Sequence, residues 1–167
     1  IVDIRAETPR DYEAIHTVTE MAFRNRPYAG GDEQDVIVRL RRANALTKSL
    51  VAIDDGELIG QITFSPATNA DRSGPWFALG PVSVTPKRQN QGVGGELIRQ
   101  GIAALETLGA LGCILTGNPA YYRRFGFELS PQTVPEVESA EYFMLKPLSG
   151  GPATGTFAFH SAFYKEV

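Results

Sequence analysis

The chain has 167 residues, 43% of them hydrophobic and 21% charged, which suits one domain with a core large enough to be stable without disulfide or metal staples. A net charge of −3 and a pI near 5.4 argue against broad nucleic-acid binding, and no apolar run approaches the roughly 18 residues of a membrane span. The single cysteine, Cys113, excludes an internal disulfide, and with no signal-peptide pattern at the start the expected location is the cytoplasm. Because the chain opens on Ile1, a start Met or a few residues are expected to precede it.

Residues 2–5 read as a short strand. Thr8 as N-cap and Pro9 at the first helical position then open a helix, where the missing proline N–H does no harm. Tyr12, Ile15, Val18, Ala22 and Phe23 recur at helical spacing and are expected to face the core. Residues 24–31, with Pro27, Gly30 and Gly31, read as a loop. Asp32 is placed to cap a second helix, with Glu33 and Asp35 in its first turn and Arg39, Arg41 and Arg42 in its last, matching the dipole at both ends.

Residues 50–53 and 58–64 are strands flanking Asp55-Gly56, a strong signal for a tight antiparallel hairpin. Residues 66–75 read as a polar loop. The next strand, 76–84, has Gly80-Pro81 in its middle; proline cannot donate to a central ladder, so a bulge or a local parting of strands is expected there. A helix from Val93 to about residue 108 puts Val93, Leu97, Ile98, Ile102 and Leu105 on one face and Glu96, Arg99, Gln100 and Glu106 on the other. Gly109 ends it, and the apolar stretch 112–116 is a strand, so strand, helix and strand form a parallel crossover. Asn118-Pro119 begins a short helix that Gly126 ends, residues 127–129 run extended, and 130–139 are a loop. Residues 142–145 and 156–159 look like a final pair of strands. No repeat and no interdomain linker interrupts this order, and the fold class is a single α/β domain with a mixed sheet.

The chemistry concentrates between residues 84 and 95. Gln89-Asn90-Gln91-Gly92-Val93-Gly94-Gly95 joins a strand to a helix, so several backbone N–H groups lie at the positive end of the helix dipole and can hold a phosphate without Lys or Arg. A plain strand-to-helix connection would need the same glycines. No Lys-Ser/Thr follows them, which excludes a P-loop, and their mid-chain position disfavours a dinucleotide-binding domain. Cys113 lies in an apolar strand and reads as a buried, inert thiol, and His16 and His160 have no partner at metal-ligand spacing.

The pattern Gln/Arg-x-x-Gly-x-Gly/Ala is the signature of the GNAT superfamily of N-acetyltransferases, and Gln89 to Gly94 fills every position. Pro86 upstream and Tyr122-Arg123-Arg124-Phe125-Gly126-Phe127 downstream resemble two further family features. The resemblance is strongest over residues 50–129. It implies a mixed sheet of about six to seven strands splayed between two parallel strands, with about four helices, in one domain over 1–167 whose coenzyme-binding core spans about 76–129. It implies acetyl-coenzyme A as co-substrate, without a metal. The pantetheine arm would pair with the backbone of Val82, Ser83 and Val84, and the coenzyme site would include Gln89, Asn90, Gln91, Gly92, Val93, Gly94, Gly95 and Asn118. A backbone N–H near Val82 or Ser83 would stabilise charge on the thioester oxygen, and Tyr122 would be the acid that protonates the leaving thiol.

The acceptor would be an amine of a small molecule or peptide. An alkylamine with pKa about 10.4 costs roughly 4.6 kcal/mol to deprotonate at pH 7, an α-amine near 7.8 about 1, so a base matters only for the former. Glu33, Asp35 or a water chain are the candidates. Arg123 and Arg124 could reach phosphates or form a solvated face, and Trp76 and Phe77 could pack in the core or line an acceptor pocket. The expected partners are the acceptor alone, with no nucleic acid or membrane, in a monomer or homodimer. A non-catalytic acetyl-coenzyme A sensor and an interaction domain without coenzyme are the rival readings.

Overall fold

The computed structural model describes residues 1–27 and 29–164; Tyr28, inside the expected loop 24–31, lies outside the described residues. Eight strands are present among them: β1 (Val2–Ala6), β2 (Lys48–Asp54), β3 (Glu57–Asn69), β4 (Trp76–Val84), β5 (Gly112–Thr116), β6 (Glu128–Leu129), β7 (Phe143–Pro147) and β8 (Phe157–Ala158). The α-helices are α1 (Tyr12–Phe23), α2 (Glu33–Arg42), α3 (Val93–Thr107) and the single turn α4 (Pro119–Tyr122). The sheet runs β1-β2-β3-β4-β5-β7-β6, with β8 on the far end of β3. Every pairing is antiparallel except β4 with β5, as the crossover through α3 requires.

The two faces of the sheet follow from strand alternation. On β2, Val51 packs with Ile15 of α1 and Ile37 of α2, while Ala52 joins the large cluster around Leu97, Ile98, Ile102 and Leu105 of α3. Thus α1 and α2 cover one face and α3 the other. At the β2–β3 hairpin Asp55 and Gly56 both adopt positive φ (51° and 76°), which an Asp-Gly pair tolerates. Cys113 is fully buried, and burial pushes its thiol far above the usual range.

Several expectations are corrected. Residues 66–69 belong to β3, because Pro66 and Ala67 pair with Phe77 and Trp76, and Thr68 and Asn69 with β8; only 70–75 form the loop. Strands 142–145 and 156–159 do not pair with each other: β7 inserts between β5 and β6, and β8 finds β3. Both choices depend on long-range neighbours that local pattern does not encode. Tyr12 is exposed and lies under the Arg41 guanidinium, 3.8 Å from its ring centre, and Phe23 is only partly buried. Asp32 precedes α2, but its carboxylate accepts from Arg39 Nη2 (3.1 Å) instead of capping the helix.

Gly101 on α3 faces Phe64 of β3, and a Cβ there would overlap the Phe64 ring. We expect Gly101→Ala to lower stability by about 1–3 kcal/mol in urea titration despite alanine's better helix propensity, because the overlap lies in a packed core.

At the start of the chain, Asp11 accepts two bonds from Arg5 (2.7 and 3.0 Å) and one from the Thr8 N–H (2.7 Å). The Arg5 guanidinium foremost, opposed by burial and helped by Thr8, holds the Asp11 carboxyl down at about 2. A lowered folded-state pKa contributes stability above the unfolded value near 3.9 and loses it as pH falls through about 2. Arg5 is half exposed, so screening leaves about 1 kcal/mol. Arg5→Ala is therefore expected to cost about that much at pH 7 and almost nothing at pH 2, measured by urea denaturation at both.

Candidate active site

The parallel pair that frames the site separates almost at once. β4 and β5 are paired only at Trp76–Gly112, Phe77–Cys113 and Ala78–Ile114. Beyond them β4 carries Gly80-Pro81, and the β3 register shifts between Ile62, opposite Val82, and Phe64, opposite Leu79. Two β4 residues therefore stand against one on β3, which is the bulge that proline in a central strand demands. From there β4 continues along β3 without β5.

The phase of this free edge can be read from one hydrogen bond. Thr85 N–H donates to Ile59 C=O (2.8 Å), and Ser83 lies opposite Gln61 two residues earlier. In an antiparallel ladder such positions alternate, so Ser83 and Thr85 turn their backbone groups to β3, while Val82 and Val84 turn theirs toward the gap. Gln89 Nε2 donates to the Val84 carbonyl (2.9 Å), as that orientation requires. Of the three β4 residues singled out in the sequence, Val82 and Val84 thus present backbone to the gap and Ser83 does not.

The glycine turn closes one end of the gap. Asn90 (φ 62°) and Gly92 (φ 86°) reverse the chain into α3, whose first intrahelical bond runs from Glu96 N–H to Gly92 C=O (3.1 Å). The N–H groups of Val93, Gly94 and Gly95 consequently have no acceptor within the helix and point out of its N-terminus. Side chains in this turn serve the loop: Gln91 accepts from Arg88 Nε (3.0 Å) and donates to the Lys87 carbonyl (3.3 Å), Val93 is buried beneath it, and Gln89 Oε1 accepts from Arg26 Nη2 (3.1 Å). That last bond ties the 24–31 loop to the turn.

Tyr121 of α4 stands against this helix start, with Tyr122 beside it. A Cβ on Gly94 would come within 3.4 Å of the Tyr121 hydroxyl, so Tyr121 overhangs the turn, with the Arg124 guanidinium 4.7 Å from its ring centre. Burial raises the Tyr121 pKa, and Arg124 and Arg99 partly offset it. The half-buried Tyr122 ring packs edge-on against Tyr121 (5.0 Å between centres) and Phe127 (6.0 Å) and over Gly117, where a Cβ would approach it to 2.6 Å. The Asn118 side chain accepts from Ala120 N–H (3.0 Å), capping α4. Arg99, assigned from the sequence to the outer face of α3, lies beside Gly95, and Arg123 turns instead to Glu128 (3.8 Å).

A parting between two parallel strands, beside a helix N-terminus with unused N–H groups, is the geometry that the glycine motif anticipated. The model of the acetyltransferase (GNAT) domain matches residues 3–130 of the sequence. The chain belongs to the GNAT acetyltransferase family. Membership makes it an acetyl-CoA-dependent N-acetyltransferase. Among curated proteins, this GNAT chain is 34% identical over 128 residues to the N-acetyltransferase YhbS of Escherichia coli, covering 76% of this chain and 74% of YhbS. It is also 32% identical over 143 residues to YjhQ of Escherichia coli, covering 78% of each. A GNAT acetyltransferase from Brucella melitensis, solved in complex with acetyl-CoA, is 43% identical over 98% of this chain and 99% of its own, with a TM-score of 0.86. Escherichia coli YhbS in complex with CoA superposes with a TM-score of 0.88 at 29% identity, over 97% and 91% of the two chains.

The residues of this GNAT chain fit such a coenzyme: the Val82 and Val84 N–H groups turn to the gap edge, those of Val93 to Gly95 have no acceptor within α3, and an added Cβ at Gly92 would meet nothing within 4 Å among the described residues. Among the described residues no group of three or more His, Cys, Asp and Glu could hold a metal ion, and no helix is long and apolar enough to cross a membrane. Of the two carboxylates weighed as bases, Glu33 accepts from the N–H groups of Gly30 (2.8 Å) and Gly31 (3.1 Å), and Asp35 lies exposed 3.6 Å from His16 Nε2. His160 Nδ1 accepts from Ala162 N–H (3.0 Å), and Trp76 is buried with Nε1 donating to Ser73 Oγ (2.8 Å). A side-chain network that the sequence reading passed over lies under α1: Gln61 Nε2 meets Pro81 O (3.1 Å) and Ser83 Oγ (2.6 Å), Ser83 Oγ meets Thr19 Oγ1 (2.9 Å), and Thr63 Oγ1 donates to Gln61 Oε1 (2.9 Å). Its trace in the sequence is Gln61 and Thr63 at alternate positions of the otherwise apolar run 58–64.

Proposed function

We propose that this enzyme transfers the acetyl group of acetyl-CoA directly to the amine of a small molecule or peptide, both bound together in a ternary complex. The observation that carries the reading is the free β4 edge, where Val82 and Val84 face the gap beside the start of α3. The N–H groups of residues 91–95 hold the pyrophosphate, with Arg99 and Arg124 nearby adding positive potential. The Val82 and Val84 backbone pairs the pantetheine arm, and the Val82 N–H donates to the thioester oxygen as negative charge builds on it. The amine nitrogen bonds the acetyl carbon as the C–S bond breaks, Tyr122 gives its proton to the departing thiolate, and the proton shed by the nitrogen passes to solvent, from which the tyrosinate is reprotonated. The thiol, pKa near 8.5, is a fair leaving group unaided, so the donor accelerates a step that already proceeds.

Direct transfer is supported by the state of Cys113, whose burial keeps it protonated and out of reach, so it offers no nucleophile for a covalent relay. With one cysteine the chain relies on no internal disulfide, which fits a cytoplasmic enzyme. We place the coenzyme-binding core at about 76–129, in one domain that works as a monomer or homodimer. The net charge of −3 favours a small or peptidic amine over nucleic acid as partner.

The test is an acceptor screen with acetyl-CoA, following thiol release and amine acetylation together. Equal yields of both, with initial-rate lines that intersect when acceptor and donor are varied, support direct transfer; parallel lines or a trapped acetyl-enzyme would overturn it.

A further inference from the structure

The Pro81 carbonyl is the one placed oddly by the bulge. Gly80 and Pro81 share the single position opposite Thr63, so the one-to-one ladder is broken at this carbonyl. Gln61, fully buried, reaches this carbonyl with a side-chain donor, Nε2 lying 3.1 Å from Pro81 O. A carbonyl can only accept, which settles that the nitrogen of the Gln61 amide faces it. The second hydrogen of the same nitrogen goes to Ser83 Oγ (2.6 Å), and Thr63 Oγ1 pins the amide oxygen (2.9 Å). All of the amide's orientation is thereby determined by partners that are themselves buried.

The Pro81 carbonyl belongs to the same rigid peptide plane as the Val82 N–H, and in a trans peptide the two point in opposite directions. A donor that grips the carbonyl from the β3 side therefore aims the N–H at the gap. It also polarises the peptide, so that the N–H becomes a stronger donor at its other end. We infer that Gln61 is a positioning residue for acyl transfer: through Pro81 O it orients and strengthens the Val82 N–H that receives the thioester oxygen. The inference rests on the assignment of Val82 as that donor under the proposed function. Gln61 touches neither substrate; it acts through one peptide unit.

The readout is the carbonyl stretch of acetyl-CoA labelled with ¹³C at the acetyl carbonyl, by isotope-edited infrared difference spectroscopy of the bound complex. With the wild-type enzyme the band is expected to move to lower frequency than for free acetyl-CoA. In Gln61→Met, which keeps the length and loses the donor, more than half of that shift is expected to vanish, while the Kd for CoA, which lacks the carbonyl, changes by less than about twofold. Ser83→Ala keeps the bond to Pro81 and is expected to keep the full shift. If Gln61→Met does not accumulate as folded protein, Gln61→Asn, one methylene too short to reach Pro81, is read in the same way. A wild-type shift that survives in the Gln61 variant overturns the inference and leaves the Val82 assignment standing. No shift in the wild type overturns the Val82 assignment and the inference with it. A parallel loss of affinity for CoA and acetyl-CoA, with the shift intact, would make Gln61 a scaffold residue only.

Discussion

Tyr122→Phe is expected to lower kcat by about 10²- to 10⁴-fold while leaving the Kd for acetyl-CoA within about twofold of wild type. The ring packs edge-on to Tyr121 and Phe127 and over Gly117, and phenylalanine retains these ring contacts. What is lost is the hydroxyl, the proposed proton source for the leaving thiolate. The loss should shrink as pH rises past about 8.5, because the thiolate then leaves without needing a proton. Stopped assays of thiol release with an accepted amine, across pH, together with calorimetric titration of acetyl-CoA, check both parts. Unchanged turnover removes Tyr122 as the acid, and a matching loss of affinity would make it a binding residue.

Gly94→Asp is expected to separate folding from coenzyme binding. The residue sits in the first turn of α3, where a carboxylate complements the dipole and the departure of glycine favours the helix, so Tm should hold or rise slightly. A new side chain has room: the closest atoms to an added Cβ are the Tyr121 hydroxyl at 3.4 Å and Val84 Cγ2 at 3.6 Å. The same carboxylate stands where the pyrophosphate is proposed to lie. Like charges about 4 Å apart repel by about 4 kcal/mol at an effective dielectric near 20, and screening lowers that, so the Kd for acetyl-CoA should rise at least about 100-fold. Thermal unfolding without ligand and calorimetry with it measure the two halves. Retained affinity in a stable variant would move the phosphate site away from the α3 N-terminus.

Both results bear on a site whose parts were unequally legible in the sequence. Gln89 to Gly95, between a strand and a helix, specified a helix start with spare N–H groups, because that chemistry is local: glycine at positive φ and the first turn of a helix depend on neighbours in the chain. Gly80-Pro81 likewise announced the bulge, since a missing N–H interrupts any central strand. The approximate places of β1 to β5 along the chain and the apolar face of α3 were readable for the same reason, as periodicity is written residue by residue. Length, charge and a lone cysteine were enough to bound the class.

Only the tertiary structure decided the rest. That Val82 and Val84 face the gap while Ser83 faces β3 is a matter of ladder phase, set by the Thr85–Ile59 bond between strands. That β7 lies beside β5, and β8 beside β3, was settled by packing among Trp76, Ile114, Phe143 and Phe157, residues far apart in the chain. That Arg26 reaches Gln89, sixty-three residues on, and so ties its loop to the glycine turn, is likewise a contact no spacing encodes. Gln61 read as one more strand residue. Its meaning lies in its bond to the Pro81 carbonyl, at a bulge twenty residues away, a pairing that exists only once β3 and β4 have come together.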